Sequence, residues 1–183
     1  MIVRRMSREL SSDWFDFFDN RAFADHGDWK GCYCTFYHMP RDEAYEGSGR
    51  RRRDYAAWLV ETGRMQGYLA YEDERCVGWC NVNMRSEYRR LGDLEGDAEG
   101  VRSITCFLVQ KEFRGEGIAR KLLERVVVDA GKEGIRILEA YPRKKSRSEY
   151  GNYHGPFRMY LKSGFVEERI GDVDVVRKYL RRP

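Results

Sequence analysis

The spacing of apolar residues separates strands from helices along the chain. Short apolar runs and strict alternation of apolar with polar residues predict strands. The segments with this pattern are "MIVRRM" at the start, "QGYLAYEDERCVGWCNVNM" with a hairpin turn at "EDER", "SITCFLV", "IRILEA", and "VEERIGDVDVVRKYL" with a turn near Gly171 and Asp172. The continuous run "SITCFLV" is typical of a strand buried on both faces.

Helical spacing predicts four helices. "SSDWFDFFDN" opens with serine and acidic residues, as a capped helix does, and "RRRDYAAWLVETG" stops at Gly63. The apolar stripe of "IARKLLERVVVDAGKEG" predicts a longer helix. A short one is predicted in "GPFRMYLKSGF", with Pro156 at its first position and Gly164 just past its end.

The order of these elements predicts a mixed α/β or α+β layered architecture. Residues 85–100 are polar and contain glycine, so they predict a long exposed loop. The chain shows no repeat, low-complexity tract or linker, and 183 residues suffice for one domain with a substantial core. We therefore expect a single domain over residues 1–183.

Composition and charge narrow the class of protein. Hydrophobic residues make up 42% of the chain and aromatic residues 14%, which excludes a disordered chain. The 34 Lys and Arg against 30 Asp and Glu give a net charge of +4, which permits an anionic ligand without demanding nucleic acid. No apolar run approaches the roughly 20 residues that span a bilayer, and the start lacks a signal-peptide core. The five scattered cysteines suit reduced thiols, so we expect a soluble, cytoplasmic protein without a membrane partner.

The stretch "FRGEGIARKLL", residues 113–123, is the first candidate for chemistry. It places two glycines where a buried strand passes into a helix. Free N–H groups of a first helical turn attract anions, and glycines leave room for a phosphate. Neither the Walker loop nor the Rossmann fingerprint fits this spacing well.

The residues of this stretch resemble the acyl-CoA loop of the GCN5-related N-acetyltransferases. Arg114, Gly117 and Ala119 match the family motif of Gln or Arg, two residues, Gly, one residue, and Gly or Ala, with Gly115 at its usual extra glycine. The ending "MYLKSGF" is similar to a second motif of the family, and its matching residues are Tyr160, Lys162, Gly164 and Phe165. The resemblance covers residues 65–180 well and the N-terminal third loosely.

The resemblance implies a fold and a cofactor. The fold would be that of the acyl-CoA N-acyltransferases, a central mixed, mostly antiparallel sheet flanked by helices. Residues 65–180 would form the coenzyme A core, and residues 1–64 a variable part that borders the acceptor site. The cofactor would be acetyl-CoA, and the residues implied to bind it are Phe107, Leu108, Val109, Arg114, Gly115, Glu116, Gly117, Ile118, Ala119 and Asn152.

The resemblance also implies an acetyl transfer to a primary amine by direct attack in a ternary complex. Tyr160 would be the general acid that protonates the departing thiolate; the alternative is a packing aromatic. Family members often carry a glutamate on the strand before the loop, but "SITCFLV" has no carboxylate. Glu139 is the nearest substitute for the base, with an ordinary rim residue as the alternative reading. His154 could serve instead.

The segment "DWKGCYCTFYHMP", residues 28–40, is the second candidate. Cys32 and Cys34 would share one face if the segment were extended. A zinc site needs four ligands, and no complementary Cys/His pair stands at usable spacing, so we expect no metal. By resemblance, the segment borders the acceptor pocket, with core packing as the alternative, and the residues expected to line the pocket are Trp29, Cys32, Tyr33, Cys34 and Tyr37.

Two other functions stay open on the sequence. A CoA-binding regulatory or sensor domain without turnover would keep the same loop. A macromolecular acetyltransferase acting on protein N-termini or tRNA would differ only in its acceptor. We expect a small-molecule amine as acceptor rather than a nucleic acid, and a homodimer is left open.

Overall fold

The computed structural model describes residues 1–40, 49–92, 94, 96, 98–144 and 152–180. Within them lies a seven-stranded sheet of order β1-β2-β3-β4-β5-β7-β6. The strands are β1 (Ile2–Arg5), β2 (Gly67–Glu72), β3 (Arg75–Met84), β4 (Val101–Val109), β5 (Ile137–Ala140), β6 (Val166–Ile170) and β7 (Val173–Tyr179). Only the β4–β5 pairing is parallel among the described strands, so the expected mixed, mostly antiparallel sheet is confirmed.

Helices cover both faces of the sheet. They are α1 (Ser11–Asn20), α2 (Gly49–Glu61), α3 (Ile118–Lys132) and α4 (Phe157–Lys162). The apolar stripe of α3 packs on one face, where Leu122 and Val126 are fully buried in the larger core. Residues of α1 and α2, among them Trp14 and Leu59, form a second core on the opposite face.

The central strands are buried on both sides because each core takes alternate residues. Along β2, Tyr68 and Ala70 belong to the core under α3, while Leu69 and Tyr71 belong to the core under α1 and α2. A strand with two apolar faces reads as a continuous hydrophobic run. This explains why "GYLAY" and the later half of "SITCFLV" show little polar alternation.

The predicted exposed loop at 85–100 is wrong for its first part. Residues Arg85–Glu87 and Arg89–Leu91 form two short 3-10 turns, and Tyr88 between them is fully buried. Arg85 is only 2% exposed because its guanidinium lies 3.6 Å from the Glu139 carboxylate. The polar sequence of this segment does not indicate a buried cluster. Arg85 can be buried because Glu139, which is distant in the sequence, neutralises its charge. Residues 93, 95 and 97 of the predicted loop lie outside the described part.

Two absences hold for the described residues. None of the helices there is long and apolar enough to cross a bilayer. In the same residues, no group of three or more His, Cys, Asp or Glu side chains is arranged to hold a metal ion.

Candidate active site

The bend after β4 is built by two glycines in the left-handed region. Gly115 has φ 86° and Gly117, the residue that caps α3, has φ 81°. Side chains disfavour that conformation, so glycine lets the chain turn directly from strand to helix. No side chain caps α3, which leaves the N–H groups of its first turn available to an anion.

A cavity of about 440 Å³, here called the bend cavity, opens beside this turn. Its walls come from the end of β4, the start of α3 and the chain before α4. They carry all the residues expected to hold coenzyme A except Glu116: Phe107, Leu108, Val109, Arg114, Gly115, Gly117, Ile118, Ala119 and Asn152. A Cβ on Gly115 would meet nothing within 4 Å, so the space above the bend is open. Open space, uncapped helical N–H groups and a neighbouring arginine fit a diphosphate.

The free edge of β4 faces the bend cavity. Pairing with β5 ends at Ile104, and beyond it the Phe107 N–H donates to the Tyr153 carbonyl at 2.6 Å. The Gln110 N–H points the other way, toward Val77 of β3. Because successive N–H groups alternate between the two edges of a strand, the Val109 N–H points to the same edge as that of Phe107. A backbone donor is thereby aimed at the cavity.

Arg114 ties this bend to the N-terminal part of the chain. Its two terminal nitrogens bond the carboxylate of Asp25 at 2.6 and 3.1 Å, and its Nε donates to the Val109 carbonyl at 3.0 Å. The hydrogen bond from Arg114 lowers the pKa of Asp25. The residues after α1 are thus held against the glycine bend.

A second cavity of about 330 Å³, here called the aromatic cavity, lies on the α1 and α2 side of β4. Its walls are mostly aromatic rings and thiols, and the exposed Asp28 and Lys30 also line it. The two cavities share four lining residues: Phe23, Trp29, Leu108 and Tyr153. The rings of Trp29 and Tyr153 meet edge to face, 5.8 Å between centroids. The cavities therefore adjoin at these residues.

A β-bulge turns the middle of β4 toward the aromatic cavity. Asn81 pairs with Cys106 and Val82 with Ile104, which leaves Thr105 as an extra residue. Both Thr105 and Cys106 consequently line the cavity, as bulges at functional sites often arrange. Sequence reasoning missed Thr105, because no residue pattern marks a bulge in an apolar run.

Four of the five residues expected to line the acceptor pocket do line the aromatic cavity: Trp29, Cys32, Cys34 and Tyr37. Tyr33 does not, because its ring stacks on Phe18 in the core and its hydroxyl donates to Asp19. The segment is not extended, since Tyr33 and Cys34 have φ of 46° and 49°. The Asn81 amide holds this turn by donating to the Cys34 carbonyl at 3.2 Å.

Three thiols, those of Cys32, Cys34 and Cys106, gather on the cavity wall. None of the five cysteines, all of which lie in the described residues, forms a disulfide. Burial raises the pKa of the Cys34 thiol, and its neighbours Cys106 and Cys32 raise it further. Cys34 therefore stays protonated and behaves as an apolar wall.

A hydrogen-bonded pair begins in the wall of the aromatic cavity. The Tyr37 hydroxyl lies 3.1 Å from Nε2 of His154, whose side chain is behind the cavity wall and whose residue is 5% exposed. Burial lowers the pKa of His154 to about 4, so the imidazole is neutral at pH 7. Burial also raises the pKa of Tyr37, with Tyr153 adding to the effect.

The structure does not bring the two expected catalytic side chains to either cavity wall. The Tyr160 hydroxyl is buried and donates to the His154 carbonyl at 2.6 Å. Glu139 is fully buried on β5 opposite Arg177 of β7, whose Nε and Nη2 donate to it at 2.8 and 2.6 Å. Neither residue lines the bend cavity or the aromatic cavity.

Comparison with known proteins places this geometry among acyltransferases. A model described as the acetyltransferase (GNAT) family matches residues 8–155. No curated protein sequence matches the chain.

Solved structures share the fold at low identity. An N-acetyltransferase from Staphylococcus aureus Mu50 is 14% identical, with 98% of each chain covered and a TM-score of 0.57. A ribosomal-protein-alanine N-acetyltransferase from Brucella melitensis is 14% identical over 98% of this chain and 100% of that one, at a TM-score of 0.58. The PaiA N-acetyltransferase from Thermoplasma acidophilum, solved with coenzyme A, is 14% identical over 98% of this chain and 99% of that one, at a TM-score of 0.52.

Proposed function

The chain belongs to the acetyltransferase (GNAT) family, and from this premise we propose that it moves an acetyl group from acetyl-CoA in the bend cavity to a primary amine in the aromatic cavity. The observation that carries the proposal is the junction of the two cavities at Phe23, Trp29, Leu108 and Tyr153. An amine at that junction meets the thioester without leaving the protein, and proximity supplies much of the rate.

The chain's own groups would hold the donor in the bend cavity. The N–H groups at the start of α3 and the glycine bend receive the diphosphate, and the Val109 N–H is directed at the pantetheine arm. Bound acetyl-CoA supplies an activated thioester, so no covalent intermediate with the protein is required. Leu108 and Tyr153 then close the space around the reacting groups and limit access of water.

The aromatic cavity favours a small amine with an apolar body. A volume of about 330 Å³ is at the lower end of those that ligand pockets usually have. The buried wall offers rings and thiols, the charged Asp28 and Lys30 are exposed, and the half-buried Arg52 donates to the Gly31 carbonyl. An aryl or short alkyl body would pack against such walls, with its nitrogen directed to the junction.

The test measures thiol release from acetyl-CoA over three acceptor types: arylalkyl amines, aliphatic polyamines and a peptide that begins with alanine. We expect the arylalkyl amines to give the highest kcat/KM. If the peptide is preferred, the protein is instead a macromolecular acetyltransferase, in line with the ribosomal-protein substrate named for the Brucella structure. Acetyl-CoA binding in a calorimeter without turnover of any amine would instead favour the sensor, and no binding at all would overturn both.

A further inference from the structure

Three side chains in contact run from the cavity junction into the protein. Tyr153 lines both cavities, Tyr37 lines the aromatic cavity, and His154 lies behind the wall. The rings of Tyr153 and His154 are 4.0 Å apart, and the Tyr37 hydroxyl is 3.1 Å from Nε2 of His154. The chain of hydroxyl and imidazole groups thus begins where the amine and the thioester would meet.

The surroundings of His154 favour one tautomer. Its Nδ1 is buried without a hydrogen-bond partner among the described residues, and the Thr105 backbone lies beside the imidazole. A proton on Nδ1 can face that backbone acceptor, which leaves Nε2 as an acceptor for the Tyr37 O–H. The Tyr37 oxygen then accepts from the Tyr153 hydroxyl and keeps a second lone pair that can receive a proton from the cavity.

We propose that Tyr37 and His154 form a proton relay that takes a proton from the acceptor nitrogen and returns it to the leaving sulfur. This inference rests on the proposed function. Tyr37 is the group that meets the amine, and His154 acts through it. In this site the relay fills the role that sequence reasoning gave to Glu139 and Tyr160.

The protons balance among the amine, Tyr37, His154 and the leaving sulfur. The nitrogen of the neutral amine bonds the acetyl carbon and loses one proton to the Tyr37 oxygen, while the Tyr37 proton passes to Nε2 of His154. The C–S bond breaks with its electron pair on sulfur. The proton then returns through Tyr37, with Tyr153 at the junction, so coenzyme A leaves as the thiol and His154 is neutral again.

The low basicity of His154 suits the second half of this cycle. A buried imidazole with a pKa of about 4 holds a proton only weakly, and a thiolate whose thiol has a pKa of about 8.5 accepts it readily. The charged and titratable groups around the pair are Arg143, whose positive charge disfavours a proton on either residue, together with Cys106, Tyr88, Tyr141 and Tyr153. The nitrogen becomes less basic as its bond to the acetyl carbon forms. This drives the first half of the cycle, in which its proton passes to Tyr37.

The kinetic test uses Tyr37→Phe and His154→Gln, with Tyr71→Phe as control. Tyr71 is a buried tyrosine that donates to Asp13 at 2.9 Å and lines neither of the two cavities. We expect kcat to fall about 100-fold in both relay variants, with the amine KM within about threefold, and the control to keep wild-type kcat. A Tyr37→Phe protein that keeps half of the wild-type kcat overturns the relay.

A spectroscopic test needs no turnover. The chain has 3 histidines, so their imidazole ¹⁵N resonances can be assigned one by one. We expect His154 to be protonated on Nδ1, and Tyr37→Phe to shift its Nε2 resonance while those of His26 and His38 stay in place. A His154 protonated on Nε2 in the wild type overturns the relay even if the variants fail to fold. The expected tautomer in a protein that acetylates none of the amines would leave the relay standing and count against the proposed function.

Discussion

Glu139 of β5 and Arg177 of β7 face each other in register, and two nitrogens of Arg177 bond the same carboxylate oxygen at 2.8 and 2.6 Å. Arg85 approaches that carboxylate from the other side at 3.6 Å. One buried negative charge therefore balances two guanidinium groups. Removing it takes away the neutralising partner of Arg85 and leaves Arg177 with the more distant carboxylate of Glu168.

We expect Glu139→Gln to lower the free energy of unfolding by about 3–5 kcal/mol, the usual cost of breaking a buried ion pair from one side. Affinity for acetyl-CoA should be unchanged in the folded fraction, because Glu139 lines neither cavity. Urea titration followed by calorimetry measures both quantities.

Glu168→Gln is the control for this change. Glu168 contacts the same Arg177 at 3.5 Å from a half-exposed position, so its loss should cost about 1 kcal/mol or less. A Glu139→Gln protein of wild-type stability that has lost turnover would restore the role of general base.

Tyr160→Phe separates structure from catalysis at α4. Its hydroxyl donates to the buried His154 carbonyl, so its loss should cost about 1–3 kcal/mol of stability. We expect kcat to fall less than about tenfold, through looser placement of His154. If kcat falls by about 100-fold or more at full stability, Tyr160 is the general acid that the family motif implies.

Gly117→Ala and Gly134→Ala form a matched pair at the two ends of α3. Both glycines have positive φ, 81° and 70°, and an added Cβ would meet nothing closer than 3.9 Å. Each change should cost about 1 kcal/mol in backbone strain. Only the Gly117 change should weaken acetyl-CoA binding, by about tenfold in calorimetry. If the two variants bind acetyl-CoA with equal affinity, the glycine bend is not part of the binding site.

Acid should destabilise the fold through His38 and His154. Burial lowers the pKa of each from 6.5 to about 4. Between these values the unfolded chain binds more protons than the folded one, so stability is complete above pH 6.5 and declines as the pH falls toward 4. The decline could reach about 3 kcal/mol for each histidine.

Urea titrations at several pH values between 7.5 and 4 would measure this dependence. His154→Gln should reduce the slope in that window, with the remainder due to His38. The carboxylates of Asp16, Asp19 and Asp25, whose pKa values are lowered, act at lower pH. An unchanged slope in His154→Gln would mean that this imidazole titrates normally.

Local patterns predicted the elements and the bend because those depend on neighbours in sequence. The glycines of 113–123 and the helical stripe of α3 needed no distant information. The ion pair of Glu139 could not be predicted from the sequence because its partner Arg177 is 38 residues away along the chain. The same holds for Tyr33, whose left-handed backbone turns its ring into the core.

The proton relay was beyond sequence reasoning for a related reason. Tyr37 and His154 are separated by 117 residues and meet only after the sheet has formed. The clue in the sequence was the aromatic segment that holds Tyr37, together with a histidine just before the second motif. Which of its aromatics reaches the histidine depends on two short turns that no periodicity marks.

Because Thr105 is an extra residue in β4, it reverses the face of the sheet to which each following side chain points. Side chains before Thr105 alternate between the two faces of the sheet in one order, and side chains after it alternate in the opposite order. As a result, Leu108 reaches the junction of the two cavities and Phe107 joins the core under α3. Shortening the strand by this one residue would exchange the two faces. The length of a single strand, as much as the identity of any side chain, thus decides which residue separates donor from acceptor.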